Sequence, residues 1–183
     1  MKPVVVRNVA IGEAIPKICV PIVGKMIDEI LNQAKHICEI GADVVEWRVD
    51  WFEEVNNYES VENAAKQLRD ILGETPILFT FRTAKEGGER AIEPDEYVEL
   101  NEKIAKSGYV DLVDVEAFIG DTYVEKVVKT SHECGVKVIA SNHDFRKTPP
   151  KAELISRMRK MQELGADISK IAVMPQSTED VLT

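Results

Sequence analysis

Six short runs rich in valine and isoleucine recur along the chain, and each has the length of a β-strand. They cover residues 17–23, 43–48, 76–82, 110–116, 136–144 and 169–175. Nearly continuous apolar runs of this kind are typical of a parallel sheet that is buried on both faces, because helices cover each side of it. The pattern therefore predicts a parallel sheet of six strands.

Amphipathic stretches of helical length separate these runs. In the last stretch, apolar residues recur at helical spacing from Leu154 to Leu164, with lysine and arginine between them. This spacing indicates one apolar stripe on a solvated helix. The predicted helices cover residues 25–40, 57–72, 94–107, 121–134 and 151–164. Strand and helix thus alternate without a linker, and we expect a single domain over residues 1–183.

Repeated βα units restrict an α/β fold to an open doubly wound sheet or a (β/α)8 TIM barrel. A glycine-rich loop after the first strand would favour the open sheet, and only Gly24 is present there. Ionisable residues at the ends of four strands favour the barrel, because barrel active sites collect groups from many strands.

A complete barrel needs about 250 residues, or about 31 for each unit, so this chain has room for about six βα units. We therefore predict a partial (β/α) barrel. The segment 3–13 is expected to form a small hairpin that plugs one end of it.

The charge balance excludes one class of partner. The formal net charge is −9 and the isoelectric point is near 5.0, so neither nucleic acid nor an anionic membrane surface is expected to bind.

Cys19, Cys38 and Cys134 lack zinc-type spacing and indicate a reduced compartment. The short valine run at 4–6 is soon followed by polar residues, so neither a signal peptide nor a membrane span is expected. We predict a cytoplasmic location.

Lys170 is the first candidate for chemistry, because it opens a strand whose next residues, 171–174, are all apolar. A lysine that loses hydration there has a lowered pKa and supplies the free amine that attacks a ketone to form an imine. The alternative is a lysine that extends from the strand end to water. For Lys170 taken alone, this alternative is favoured. The choice between the two roles therefore depends on the other candidate residues near it.

His143 and Glu86 are the next candidates. His143 ends the fifth run, and a histidine beside an imine-forming lysine can move protons at neutral pH; a core histidine bonded to the backbone is an equal alternative. Glu86 precedes two glycines that allow a tight turn, where a carboxylate can fix the imidazole tautomer. If this motif stood alone, the favoured interpretation of Glu86 would be a solvated loop residue. Asp144 is expected to point away and cap the following turn.

Two arginines could hold an anionic, hydroxylated substrate. Guanidinium groups bind carboxylate and hydroxyl oxygens in a planar fork, so Arg48 and Arg82, together with Glu46, are candidates for substrate binding. Alternatively the arginines pair with Glu46 and Glu116 inside the barrel. For Glu116 we prefer this structural role.

Five motifs then occur in a fixed order along the chain. They are EWRVD at 46–50, FTFRTAKEGG at 79–88, VDLVDVE at 110–116, SNHDF at 141–145 and KIAVMPQS at 170–177. Together they resemble the type I 3-dehydroquinate dehydratases. The resemblance implies a (β/α)8 barrel that dehydrates 3-dehydroquinate to 3-dehydroshikimate in the shikimate pathway of aromatic amino acid biosynthesis, as a dimer and without metal or cofactor.

The resemblance also implies roles for particular residues. In the family pattern the lysine of KIAVMP forms the imine, the histidine of SNHDF is the general acid and base, and the glutamate of KEGG orients that histidine. These roles fall on Lys170, His143 and Glu86. The EWR and FTFR motifs hold the substrate in the family, and the corresponding residues here are Glu46, Arg48 and Arg82.

The family pattern continues through two more βα units, which supply an arginine for the substrate carboxylate and a serine and glutamine near a closing loop. We expect this chain to lack them. Two other interpretations remain: a class I aldolase-like enzyme, which also uses a lysine at a strand end, and a non-catalytic partial barrel that self-associates through its exposed strand edges.

Overall fold

The computed structural model describes residues 3–182. Its elements are, in chain order, β1 (Val4–Val6), β2 (Val9–Ile11), β3 (Cys19–Ile22), α1 (Ile27–Ile40), β4 (Val44–Arg48), α2 (Tyr58–Leu72), β5 (Ile77–Thr80), α3 (Pro94–Lys106), β6 (Leu112–Glu116), α4 (Asp121–Glu133), β7 (Lys137–Asp144), α5 (Lys151–Glu163), β8 (Ile168–Val173) and α6 (Thr178–Leu182). Strands β3 to β8 form one parallel sheet in chain order. A doubly wound sheet reverses its order at a switch point, whereas a barrel does not. The predicted partial (β/α) barrel is therefore confirmed.

The five predicted helices are present, and their ends lie within two residues of the expected positions. Helix α2 shows why. The side chain of Asn57 accepts hydrogen bonds from the backbone N–H groups of Glu59 and Ser60 at 3.1 and 3.4 Å, which satisfies donors that the first turn leaves free. Residues three and four apart then share its buried face, namely Val61, Ala64, Ala65, Leu68 and Leu72.

Side chains alternate along each strand between the two faces of the sheet. On the outer face, residues such as Val45, Trp47, Phe79 and Val113 are completely buried under the helices and form the main apolar core. Removing a large side chain from this core is expected to cost about 2–5 kcal/mol. The outer face therefore stabilises the fold.

The inner face begins with a second apolar cluster at the amino end of the strands. Its buried members are Val6, Val44, Leu78, Leu112 and Ile139. Strands β1 and β2 pair as an antiparallel hairpin within the segment 3–13, and the hairpin contributes Val6 to this cluster. The hairpin thus covers the amino end of the barrel interior.

Two residues further along each strand, the inner face becomes polar. The residues at this level are Glu46, Thr80, Asp114, Ser141 and Lys170. A further step of two residues reaches Arg48, Arg82, Glu116 and His143. Because the carboxyl ends of parallel strands lie at the same edge of the sheet, these side chains face one another there.

Two of the strand boundaries that differ from expectation lie next to candidate site residues. Strand β8 begins at Ile168, so Lys170 is its third residue and does not open it. The reason is that Ile168 packs against the inner apolar cluster, which extends the strand before the lysine. Strand β5 ends at Thr80, two residues before Arg82. No helix within residues 3–182 is long and apolar enough to cross a membrane. That the chain forms one domain stays a prediction.

Candidate active site

Lys170 extends from β8 into the polar part of the interior. Its Nζ lies 3.4 Å from Oε1 of Glu46 on β4 and 3.6 Å from Oδ2 of Asp114 on β6. The Thr80 hydroxyl donates to the same Glu46 oxygen at 2.8 Å and so holds that carboxylate in place. The lysine side chain is 35% exposed. Two carboxylates from other strands therefore face the amine of Lys170.

Glu86 lies in a 3-10 turn, Ala84–Glu86, that follows β5. The turn depends on Gly88, where an added Cβ would stand 1.8 Å from the carbonyl oxygen of Arg82. No side chain fits that approach, so glycine is required. The turn brings the Glu86 carboxylate back over the carboxyl end of β7.

The Glu86 carboxylate accepts three hydrogen bonds from β7. Oε2 accepts from the backbone N–H of His143 at 3.0 Å and from Nδ1 of the same residue at 2.9 Å, and Oε1 accepts from Nδ2 of Asn142 at 3.0 Å. An ionised carboxylate only accepts, so Nδ1 carries the imidazole proton. Within residues 3–182, no group hydrogen-bonds the other ring nitrogen, Nε2. Nε2 is therefore free to accept a proton.

Two neighbours complete the surroundings of His143. The ring of Phe145 stacks on the imidazole, with 6.2 Å between ring centroids and 15° between planes. Asp144 points away and accepts hydrogen bonds from the backbone N–H groups of Arg146 and Lys147 at 2.9 and 3.2 Å, which lower the pKa of its carboxyl. The expected capping role of Asp144 is confirmed.

Arg82 is buried and donates hydrogen bonds to three side chains of the protein. Its Nη2 donates to Oδ1 of Asp114 at 2.8 Å, while Nη1 donates to Oε1 of Glu116 at 3.1 Å and to Oγ of Ser141 at 2.9 Å. Nη1 also lies 3.7 Å from Glu86. Arg82 therefore links Asp114, which lies next to Lys170, to Glu86, which binds His143.

Arg48 is more accessible. Its Nε and Nη2 donate in a planar fork to the two carboxylate oxygens of Asp50, each at 2.8 Å. This pairing raises the pKa of the Arg48 guanidinium. Asp50 is fully buried and also accepts from the backbone N–H of Arg82 at 3.3 Å. Arg48 is thus held rigidly from one side, and its partner is Asp50, not Glu46.

Two buried acids on β6 behave differently although both contact Arg82. Burial works against the charge of Asp114, but the Arg82 guanidinium and the Lys170 ammonium hold the pKa of its carboxyl below the usual value. Burial raises the pKa of Glu116, although hydrogen bonds from Thr83 and the charge of Arg82 act in the opposite direction. The preference for a structural role of Glu116 agrees with these contacts.

The structure thus brings all six predicted site residues to one end of the barrel. Lys170 and Glu46 contact each other directly, as do His143 and Glu86. Sequence reasoning missed Asp50, Asp114 and Asn142. Asp114 had a signal, because it stands two residues before Glu116 on one strand and therefore shares its face. Among residues 3–182, no group of three or more His, Cys, Asp or Glu residues is arranged to hold a metal ion.

Comparisons with known proteins agree with this arrangement. A family model for type I 3-dehydroquinase matches residues 18–183. The 3-dehydroquinate dehydratase of Listeria monocytogenes serotype 4b (strain F2365) is 55% identical over 183 residues, which are 100% of this chain and 73% of that protein. The 3-dehydroquinate dehydratase of Clostridioides difficile (strain 630) is 51% identical over 181 residues, 99% of this chain and 71% of that protein.

Solved structures show the same relationship. The crystal structure of type I 3-dehydroquinate dehydratase from Clostridium difficile with covalently modified comenic acid matches with a TM-score of 0.97 and 51% identity, covering 99% of this chain and 72% of that one. The 3-dehydroquinate dehydratase from Enterococcus faecalis matches with a TM-score of 0.95 and 44% identity, covering 98% of this chain and 75% of that one. The chain belongs to the type I 3-dehydroquinase family.

Proposed function

We propose that this chain is a lyase that dehydrates 3-dehydroquinate to 3-dehydroshikimate through an imine on Lys170, in the shikimate pathway of aromatic amino acid biosynthesis. One observation carries the proposal: the Lys170 amine and an imidazole whose tautomer is set by Glu86 face the same interior, on the neighbouring strands β8 and β7. The family match over residues 18–183 favours this reaction over the aldolase alternative.

The reaction begins when the amine form of Lys170 attacks the substrate ketone. The resulting carbinolamine takes up a proton from solvent and loses water to become a protonated imine, which acts as an electron sink; that proton is released again when the imine is hydrolysed. Nε2 of His143 then removes a proton from the neighbouring carbon, and the electrons of that C–H bond move toward the imine nitrogen to give an enamine.

Elimination completes the reaction. The enamine expels the hydroxyl group one carbon further on, and His143 returns its proton to that hydroxyl so that it leaves as water. The imine then takes up one water molecule, which releases the product and restores the Lys170 amine. The net change is the loss of one water from the substrate, and no cofactor is consumed.

Glu86 supports both proton transfers. When His143 holds the abstracted proton it is an imidazolium, and the carboxylate 2.9 Å from its Nδ1 stabilises that charge. The backbone bond from His143 to the same carboxylate fixes the ring next to its strand. Glu86 thus positions the base for both steps.

Substrate binding falls to Glu46, Arg48 and Arg82 in this proposal. The bonds of Arg48 to Asp50 use Nε and Nη2, which leaves Nη1 as the donor for the substrate in this proposal. The two arginines attract an anionic, hydroxylated substrate locally although the whole chain is acidic. The proposal also includes a homodimer, which the resemblance to the family implies, and a cytoplasmic location, which the cysteine usage predicts.

Borohydride trapping tests the proposal. The chain is incubated with 3-dehydroquinate and sodium borohydride, digested and analysed by mass spectrometry. We expect a reduced secondary-amine adduct on the peptide that contains Lys170. K170M is expected to give no adduct, and K85M, which removes an exposed lysine next to Glu86, is expected to keep it. An adduct on Lys85 or Lys17, or no adduct at all, would count against the proposal and favour the non-catalytic alternative.

A further inference from the structure

One oxygen in the interior has no ordinary partner. Asp114 is completely buried. Its Oδ1 accepts from Nη2 of Arg82 at 2.8 Å and from Oγ of Ser141 at 2.6 Å. Its Oδ2 is buried and has no hydrogen-bond partner within residues 3–182. Leaving a buried carboxylate oxygen unsatisfied is costly, so such an oxygen calls for an explanation.

The cation in front of this oxygen is Lys170, whose Nζ lies 3.6 Å away. That distance is too long for a hydrogen bond and short enough for an ion pair. Strand β7 lies between the two residues, and Ser141 on it pairs in register with Lys170 while its hydroxyl binds the other oxygen of Asp114. The carboxylate is therefore fixed with Oδ2 aimed at the lysine.

We propose that Asp114 is a positioning residue for the imine, whose Oδ2 accepts the single N–H of the protonated imine nitrogen and so sets the plane of the bound substrate. This inference rests on the proposed function. A lysine ammonium has three N–H donors, whereas the protonated imine keeps only one. Oε1 of Glu46 already accepts from the Thr80 hydroxyl at 2.8 Å and from Nζ itself at 3.4 Å, whereas Oδ2 of Asp114 has no hydrogen-bond partner within residues 3–182 and is the acceptor still open to the imine N–H.

The position of Asp114 also gives direction to the site. Asp114 lies at the same level of the sheet as Ser141 and Lys170. His143 lies two residues further toward the carboxyl end of β7. An imine N–H that points down to Asp114 turns the adjacent carbon up toward His143, where its proton is removed. The carboxylate thus acts on the geometry of the step that the histidine performs.

Several charged or titratable groups surround Lys170, and removing Asp114 changes their balance. Glu46 on β4, Asp114 on β6 and Cys19 on β3 face Lys170, while His143 on β7 and Arg82 face Asp114. In D114N the lysine keeps Glu46 but loses one carboxylate, and the charge of Arg82 is less fully neutralised. Both changes favour the neutral amine, so imine formation should extend to lower pH.

The test is the pH dependence of borohydride trapping with 3-dehydroquinate in wild type, D114N and E116Q. E116Q is the matched control, because Glu116 also contacts Arg82, at 3.1 Å, but has no contact with Lys170. We expect the midpoint of the profile to fall by about one pH unit or more in D114N, with a shorter lifetime of the imine, and to fall by a clearly smaller amount in E116Q, which changes only the neutralisation of Arg82.

Three outcomes count against the inference: an unchanged profile in D114N, an equal shift in both variants, or an imine of unchanged lifetime in D114N. A wild type without any adduct counts against the proposed function instead. Thermal unfolding followed by circular dichroism checks that the variants fold.

A reciprocal measurement decides the matter where D114N does not fold or the wild type gives no adduct. If Asp114 stabilises the charge of Lys170, then Lys170 stabilises the charge of Asp114 by the same amount. In K170M, carbon-13 NMR of the side-chain carboxyl should therefore show the pKa of Asp114 higher than in wild type. An unchanged pKa of Asp114 would overturn the pairing.

Discussion

Replacing Glu86 with glutamine removes a charge and one of two acceptor oxygens, while three donors still converge on the site. The backbone and ring N–H groups of His143 share one oxygen, and the amide of Asn142 uses the other. If the glutamine oxygen serves His143, its own NH2 group faces the NH2 group of Asn142. Asn142 cannot simply rotate its amide, because its Oδ1 accepts from Arg157 at 2.6 Å.

The contacts give the size of the effect. A hydrogen bond to a charged group contributes about 1.5–3 kcal/mol, and this contribution supports the imidazolium that forms when His143 takes up a proton. At about 1.4 kcal/mol for each tenfold change, turnover should fall roughly 10- to 150-fold. The unpaired donor should also lower the free energy of unfolding by about 1 kcal/mol, at the small end of the usual range because Glu86 remains partly exposed.

The assay compares E86Q with E89Q, which removes a charge from an exposed glutamate in the same loop. Product formation is followed by the absorbance of the conjugated product, and imine formation by borohydride trapping. E86Q should lose turnover and keep the adduct, while E89Q should match the wild type in both. Equal turnover in the two variants would show that the bond to His143 contributes nothing to proton transfer.

Two further predictions concern the base and the turn beside it. H143A should lower dehydration by about 10²- to 10⁴-fold, the usual contribution of a placed acid or base, while the borohydride adduct still forms; near-normal turnover would leave His143 with a structural role only. G88A should lower the free energy of unfolding by about 1–3 kcal/mol or more, because its Cβ collides with the Arg82 carbonyl, and chemical denaturation measures this. A G88A variant with the unfolding free energy of the wild type would mean that the collision is relieved at no cost.

The two-residue period of the strands was enough to predict most of the site. Glu46 and Arg48 share a face of β4, and Asp114 and Glu116 share a face of β6. A parallel sheet brings such faces together at one edge, so convergence follows from the order of the strands. The helices could likewise be predicted, because their apolar stripes and caps are local features of the sequence.

Contacts made by loops could not be predicted in this way. Asp50 lies in the 3-10 turn after β4, and its bonds to Arg48 and Arg82 depend on how β4 and β5 are placed. The alternation along β7 assigns Asn142 and His143 to opposite faces, yet the Glu86 turn contacts both. The contact of Asp114 with Lys170 was missed for a related reason, since the two residues belong to distant segments of the chain.

Because the hairpin covers the amino end of the barrel, the two ends of each strand have different roles. On β6, for example, Leu112 packs beneath the hairpin, whereas Asp114 two residues later lies next to the Lys170 amine. Mutations that alter specificity therefore fall on positions that the apolar cluster does not use. Substitutions can accumulate at the carboxyl end of the strands while the amino end keeps the fold stable. Natural selection and directed evolution therefore have separate sets of positions on which to act.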